Sequence, residues 1–149
     1  MNDQKLIDAL SEALDDEYRS RATYRAVIAR FGPVRPFINI VEAEDRHVEA
    51  LLRQFERLGA SAPADTWPER VRVPESVAQA CADAVEAEID NDALYVRLLD
   101  HITDPGVRLV MQRLREASRD RHLPAFRRCA AREGSPAARP SDRSKRQPR

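Results

Sequence analysis

The sequence predicts an all-α chain: a four-helix bundle with one long crossover between helices 2 and 3. Three observations lead there. Glycine is scarce, with four in 149 residues, so a few Gly and Pro positions divide the chain into long segments. Within each segment apolar residues recur every three or four positions, the period of a helix that buries one face. The connections between segments run short, long, short, and the long one can reach from one end of a bundle to the other.

The first helix is expected from a cap at Asn2 or Asp3 to Phe31, where Gly32-Pro33 ends it. The second begins near Pro36, a residue tolerated in a first turn, and runs to Leu58 before Gly59. Residues 60–73 hold Pro63, Trp67 and Pro68 without a steady period and read as an extended connection. Helix 2 is ~35 Å long at 1.5 Å per residue. Fourteen extended residues span at most ~46–50 Å, enough to start helix 3 at the opposite end. Helix 3 is expected from Pro74-Glu75 to Ile102, Asp104-Pro105-Gly106 makes a turn, and helix 4 continues to about Glu133. Residues 1–133 thus make one bundle. Residues 134–149, with three prolines and a basic excess over Asp142, are expected to be a disordered basic tail.

Composition narrows the function. Hydrophobic residues at 42% and charged residues at 34% suit a packed domain. Basic and acidic residues balance at 25 each, and the body without its tail is net negative, so nucleic acid is not an expected partner. No apolar run approaches the ~20 residues of a membrane helix, and the first residues lack the apolar stretch of a secretory signal. Cys81 and Cys129 are too few for a disulfide scaffold. The expectation is a cytoplasmic protein without a membrane partner, with a homodimer left open. The cysteines read as small hydrophobes, although antiparallel helices 3 and 4 would bring them into one layer as a dithiol.

Four apolar stripes carry the exceptions that matter. Helix 1 gives Leu6, Leu10, Ala13, Glu17, Ser20, Tyr24, Val27 and Phe31, and helix 2 gives Phe37, Ile40, Glu44, His47, Leu51, Phe55 and Leu58. Helix 3 gives Val77, Cys81, Ala84, Glu88, Asn91, Tyr95, Leu98 and Ile102, and helix 4 gives Val107, Met111, Leu114, Ser118, His122, Ala125 and Cys129. Glu17, Glu44, His47, Glu88 and His122 each lie near the middle of their helix. A midpoint keeps its height whichever way the helix points, so all five should converge on one layer.

Carboxylates gathered in a core must be protonated, paired with cations or bound to metal. Glu44 and His47 form Glu-x-x-His, whose side chains lie ~60° apart around the helix and can reach one ion. Di-metal carboxylate sites in bundle cores pair such motifs with single glutamates on the other helices. Carboxylate and imidazole ligands suit iron or manganese, with zinc as an alternative, as one ion or two.

An internal repeat supports this. A shift of 71 places Glu17 on Glu88 and Tyr24 on Tyr95, and a shift of 75 places Asp45-Arg46-His47 on Asp120-Arg121-His122. The same alignment sets Glu44 on Arg119, so the second half lacks its own Glu-x-x-His. Three carboxylates are balanced by two divalent ions and one further anionic charge, or by one ion together with Arg119. Asp120 is a fallback ligand, ~200° from His122 on an ideal helix, provided that Pro124, which removes a hydrogen bond to its carbonyl, distorts that turn. The competing expectation is a metal-free, degenerate bundle, a structural or interaction module, in which Arg119, Arg21 or Arg115 pairs the core glutamates. Tyr24 and Tyr95, two turns from Glu17 and Glu88, are expected to pack, with hydroxyls free to bond a carboxylate.

The segments LDDEYRSRATYRAVIARFG, PFINIVEAEDRHVEALL and SRDRHLPAFRR resemble a bacterial ferritin-like domain family of unknown function, within the ferritin-like superfamily, over residues 5–133. The resemblance implies a ferritin-like four-helix bundle with a di-iron or di-manganese centre and oxidoreductase or metal-handling activity. It also implies Glu17, Glu44, His47, Glu88 and His122 as the metal ligands, with Arg119 departing from the pattern.

Overall fold

The computed structural model describes residues 3–134, and every regular element among them is helical. The elements are α1 (Asp3–Phe31), α2 (Phe37–Arg57), a short 3₁₀ turn (Trp67–Glu69), α3 (Val77–Leu99), α4 (Pro105–Ala117), a π turn (Ser118–His122) and α5 (Leu123–Glu133). The last three follow without a gap and form one rod, so the chain makes four rods. The expected disordered tail lies, beyond Gly134, outside the described residues.

Local chemistry sets the ends. Gly32 closes α1 at φ +87°, and Gly59 follows α2 at φ +67°, both in the left-handed region that glycine enters without a Cβ clash. Around Gly59 the bonds Gly59 N–H to Glu56 C=O and Ala60 N–H to Phe55 C=O, each 3.0 Å, form a Schellman cap that satisfies the last carbonyls of α2. Helix α3 begins at Val77, later than the sequence suggested, because Ser76 stays extended and its hydroxyl accepts the Gln79 N–H at 3.0 Å. It also ends earlier, leaving Ile102 buried but outside the helix. Asp104 caps α4 by accepting the Val107 N–H at 2.9 Å, with Pro105 in the first turn.

Helix α1 packs along α2, α3 along α5, and further contacts join α1 to α3 and α2 to α4. The buried apolar residues form two clusters. Leu10, Leu14, Leu51, Phe55 and Met111 belong to one; Val27, Phe37, Ala84 and Phe126 belong to the other. On each rod the predicted site residue falls where one cluster gives way to the other. Residues 58–76 are tied to α1 rather than loose: Tyr18 donates to the Pro63 carbonyl at 3.1 Å, and the Trp67 indole N–H to Asp15 at 2.9 Å. The Arg70 guanidinium lies 3.8 Å above the Trp67 ring.

One expectation is corrected. Cys81 and Cys129 are not free hydrophobes but a disulfide between α3 and α5, with Cα atoms 5.7 Å apart. Residues 81–129 run out along α3 and back along the last rod, which brings the two cysteines to one height. No helix among the described residues is long and apolar enough to cross a membrane.

The Asp104 cap generates a test with a defined sign. The Val107 N–H, followed by the Arg57 guanidinium, holds the Asp104 carboxyl below its ordinary value. Its stabilising contribution is therefore present above the unfolded-state pKa and lost as pH falls through the folded one. Asp104→Ala is expected to lower stability by about 1 kcal/mol at neutral pH. In urea titrations the gap between wild type and variant should narrow on acidification below about pH 4.

Candidate metal centre

All five predicted residues meet. Glu17, Glu44, Glu88 and His122 are buried, with Glu17 and Glu88 at 2% exposure and Glu44 at 1%, and His47 is partly buried. His122 Nδ1 lies 3.2 Å from Glu44 Oε1 and 3.2 Å from Glu88 Oε1. His47 Nδ1 lies 3.6 Å from Glu17 Oε2 and 3.8 Å from Glu44 Oε2. The two imidazoles stack with centroids 5.3 Å apart. The side chains thus fall into two triads, Glu17–Glu44–His47 and Glu44–Glu88–His122, whose ligand atoms lie within 4.8 Å of one another. Glu44 belongs to both.

The outer oxygens are held by groups from the opposite half of the repeat. Tyr95, on α3, donates to Glu17 Oε1 on α1 at 2.7 Å, and Tyr24, on α1, donates to Glu88 Oε2 on α3 at 2.6 Å. Spacing alone put these tyrosines two turns away on their own helices. Antiparallel packing of α1 against α3 delivers each to the other's glutamate. The Asn91 amide donates to Asp16 at 2.7 Å and also reaches Glu17 at 3.5 Å. The Ser118 hydroxyl donates to Glu88 Oε1 at 2.8 Å.

These contacts divide the protons. Burial, then the charge of Glu17 and a hydrogen bond to it, then Glu88, hold the Glu44 carboxyl well above the usual range. Burial pushes Glu17 the same way. Its proximity to Glu44 and His47, the charge of His47 and the hydrogen bond from Tyr95 outweigh that and take it to about 2. Without an ion, the mutual repulsion of the two carboxylates in this buried layer thus favours the protonated form of Glu44 and the ionised form of Glu17. Burial and the neighbouring carboxylates push Tyr24 and Tyr95 well above the usual phenol value, so both hydroxyls remain donors.

The π turn decides what stands opposite Glu44. The Leu123 N–H bonds the Ser118 carbonyl, five residues back, and Pro124, without an N–H, follows at once. One extra residue in the turn brings Ser118, rather than Arg119, to the face of His122. Two expectations are corrected here. Arg119 is exposed and pairs through Nε with Asp120 at 2.8 Å, so it neither neutralises the glutamates nor replaces an ion. Asp120 is likewise exposed and is no ligand. The other arginines offered as partners are also engaged elsewhere: Arg21 with Asp45 and Asp65, Arg115 with Asp92. Among the described residues only the two histidines form ion pairs with Glu17, Glu44 and Glu88.

The donor set fits a metal on an observation independent of any relative. Glu44 Oε2 and His47 Nδ1 are buried yet have no hydrogen-bond partner, and buried polar atoms are rarely left so. Two carboxylate–imidazole triads sharing one carboxylate can hold two hard-to-borderline cations, with Glu44 between them.

No family model and no curated relative matches this chain. Its fold is shared with the crystal structure of a hypothetical protein, MJ0754, from Methanococcus jannaschii DSM 2661, at a TM-score of 0.78 and 20% identity over 91% of this chain and 83% of that one.

The crossed tyrosines give the test of this geometry. Tyr95→Phe leaves ionised, buried Glu17 without the phenol that donates to its Oε1 and is expected to cost about 1.5–3 kcal/mol, the range for hydrogen bonds to charged groups. Urea denaturation of metal-free protein measures it. A change below a few tenths would show that the hydroxyl does not hold Glu17.

Proposed function

We propose that the chain is a ferritin-like four-helix bundle with one long crossover, and that it holds two iron or manganese ions at its middle for redox or metal-handling chemistry. The bundle reading draws support from the pairing of residues. Glu17 with Tyr95 and Tyr24 with Glu88 run in opposite order along α1 and α3. Glu17 with His47 and Arg21 with Asp45 do the same for α1 and α2. Helices α2 and α3 then run in the same sense, which needs a connection as long as the bundle.

One observation carries the metal reading: two buried triads share Glu44, and two of their buried atoms lack a hydrogen-bond partner. Glu17 and His47 would hold one ion, Glu88 and His122 the other, with Glu44 between them. Iron or manganese bound there would supply electron transfer and Lewis acidity. The chain's own residues do the rest. Tyr24, Tyr95 and Asn91 fix the outer oxygens of Glu17 and Glu88, and Ser118 holds the inner oxygen of Glu88, so the ligands are oriented before an ion arrives. Ser118, where a second shared carboxylate would otherwise stand, cannot neutralise an ion and leaves room for a small ligand.

Protein purified without added metal and analysed for elements should carry iron or manganese, at about two ions per chain when saturated. Glu44→Gln should abolish most of that binding and the accompanying gain in melting temperature. A content near zero in the wild type, before and after incubation with iron(II) or manganese(II), would defeat the proposal.

The π turn adds a position-specific test. Ser118→Glu should tighten metal binding, whereas Arg119→Glu, on the solvent side, should leave it unchanged. Melting curves establish that both variants fold. The reverse ranking would mean that Arg119, and not Ser118, occupies the position opposite Glu44.

A further inference from the structure

A cleft of about 740 Å³ opens between α2 and the α4–π stretch, and its lining includes both His47 and His122. That volume lies in the range of small-molecule sites. Along the seam the residues facing it are small or aliphatic, among them Ala43, Ala50, Ala117 and Leu114. Larger side chains at the alanines would have closed it. No aspartate or glutamate lines the cleft, whereas Arg46, Arg113 and Arg121 all do.

These three guanidinium groups are not surface ion pairs that happen to lie nearby. All three are exposed, and none joins an ion pair among the described residues. Several other arginines are neutralised: Arg21, Arg25, Arg57, Arg97, Arg115 and Arg119 each meet a carboxylate. Three unpaired guanidiniums around a cavity without a counter-charge attract an anion, and their planar forks match carboxylate or phosphate oxygens.

We infer that this cleft binds a small organic anion, a carboxylate or phosphate on an apolar body. Its charged end lies among Arg46, Arg113 and Arg121, and its apolar part lies along the alanine-lined seam, against His47 and His122. The partner is not a polyanion, because the attraction is confined to one cleft on a body of net negative charge. Anion capture rests on the arginines alone; that the captured molecule meets an ion rests on the metal reading above. Under that reading the cleft gives the centre its substrate class, an anionic molecule approaching from the histidine side.

Calorimetric titration of the full chain, first stripped of metal with chelator, tests the site with hexanoate, hexyl phosphate and the neutral hexan-1-ol. At least one hexyl anion should bind ten times more tightly than hexanol, and the stronger of the two identifies the head group. Arg113→Gln/Arg121→Gln should weaken that anion at least tenfold. Ala43→Leu, which keeps every charge and narrows the seam, should weaken it as well. Both variants alter partly or fully exposed positions, and their melting temperatures verify folding. Equal affinity for hexanol, an unchanged double variant, or binding only to a DNA oligonucleotide would overturn the assignment. Anion binding by a chain that takes up no metal would defeat the metal reading and leave the cleft standing; metal uptake without anion binding would do the opposite.

Discussion

Burying three carboxylates in one layer is the constraint to which the rest of the molecule answers. A carboxylate moved from water into a protein interior costs several kcal/mol after relaxation, and three of them repel one another. The chain meets this with neutral donors and imidazoles rather than guanidiniums. Two tyrosines and an asparagine hold the outer oxygens, a serine holds the inner oxygen of Glu88, and two imidazoles occupy the middle. A guanidinium at the centre would have been the simpler neutraliser. Arg21, Arg115 and Arg119 all lie close in sequence and all turn to surface aspartates instead. None of these three guanidiniums therefore enters the layer; on the metal reading, divalent ions would supply that charge.

Much of this was legible in the residues. Charged positions at the midpoints of four apolar stripes converge regardless of helix direction, and Glu17, Glu44, His47, Glu88 and His122 do meet. The sequence failed where it assumed a uniform helical turn. Aligning the two halves put Arg119 opposite Glu44, because a shift in sequence assigns every residue the same rotation. The extra residue of the π turn breaks that assumption and leaves Ser118 inside. The stripe already contained the signal, since Leu114, Ser118 and His122 are spaced by four, and Pro124 marked the place where the ladder must fail.

Other features were invisible for a different reason: they depend on which helices become neighbours. Tyr24 and Tyr95 are too far along their own helices to touch their own glutamates, and only the pairing of α1 with α3 makes each the partner of the other's. The arginines of the cleft looked like ordinary solvated charges. Their meaning comes from lining one cleft from two facing helices without an ion-pair partner, which no single-helix pattern records.

The bond between Cys81 and Cys129 has a consequence for assembly. Glu88, Ser118 and His122 all lie between those two cysteines in sequence, so a covalent ring encloses every residue that the second half of the chain contributes to the layer. Even in a denatured chain these three stay confined to a small volume, and the entropy lost in regathering them falls accordingly. Glu17, Glu44 and His47 have no such tether. The layer thus joins one half closed by a covalent ring to a hairpin that has none.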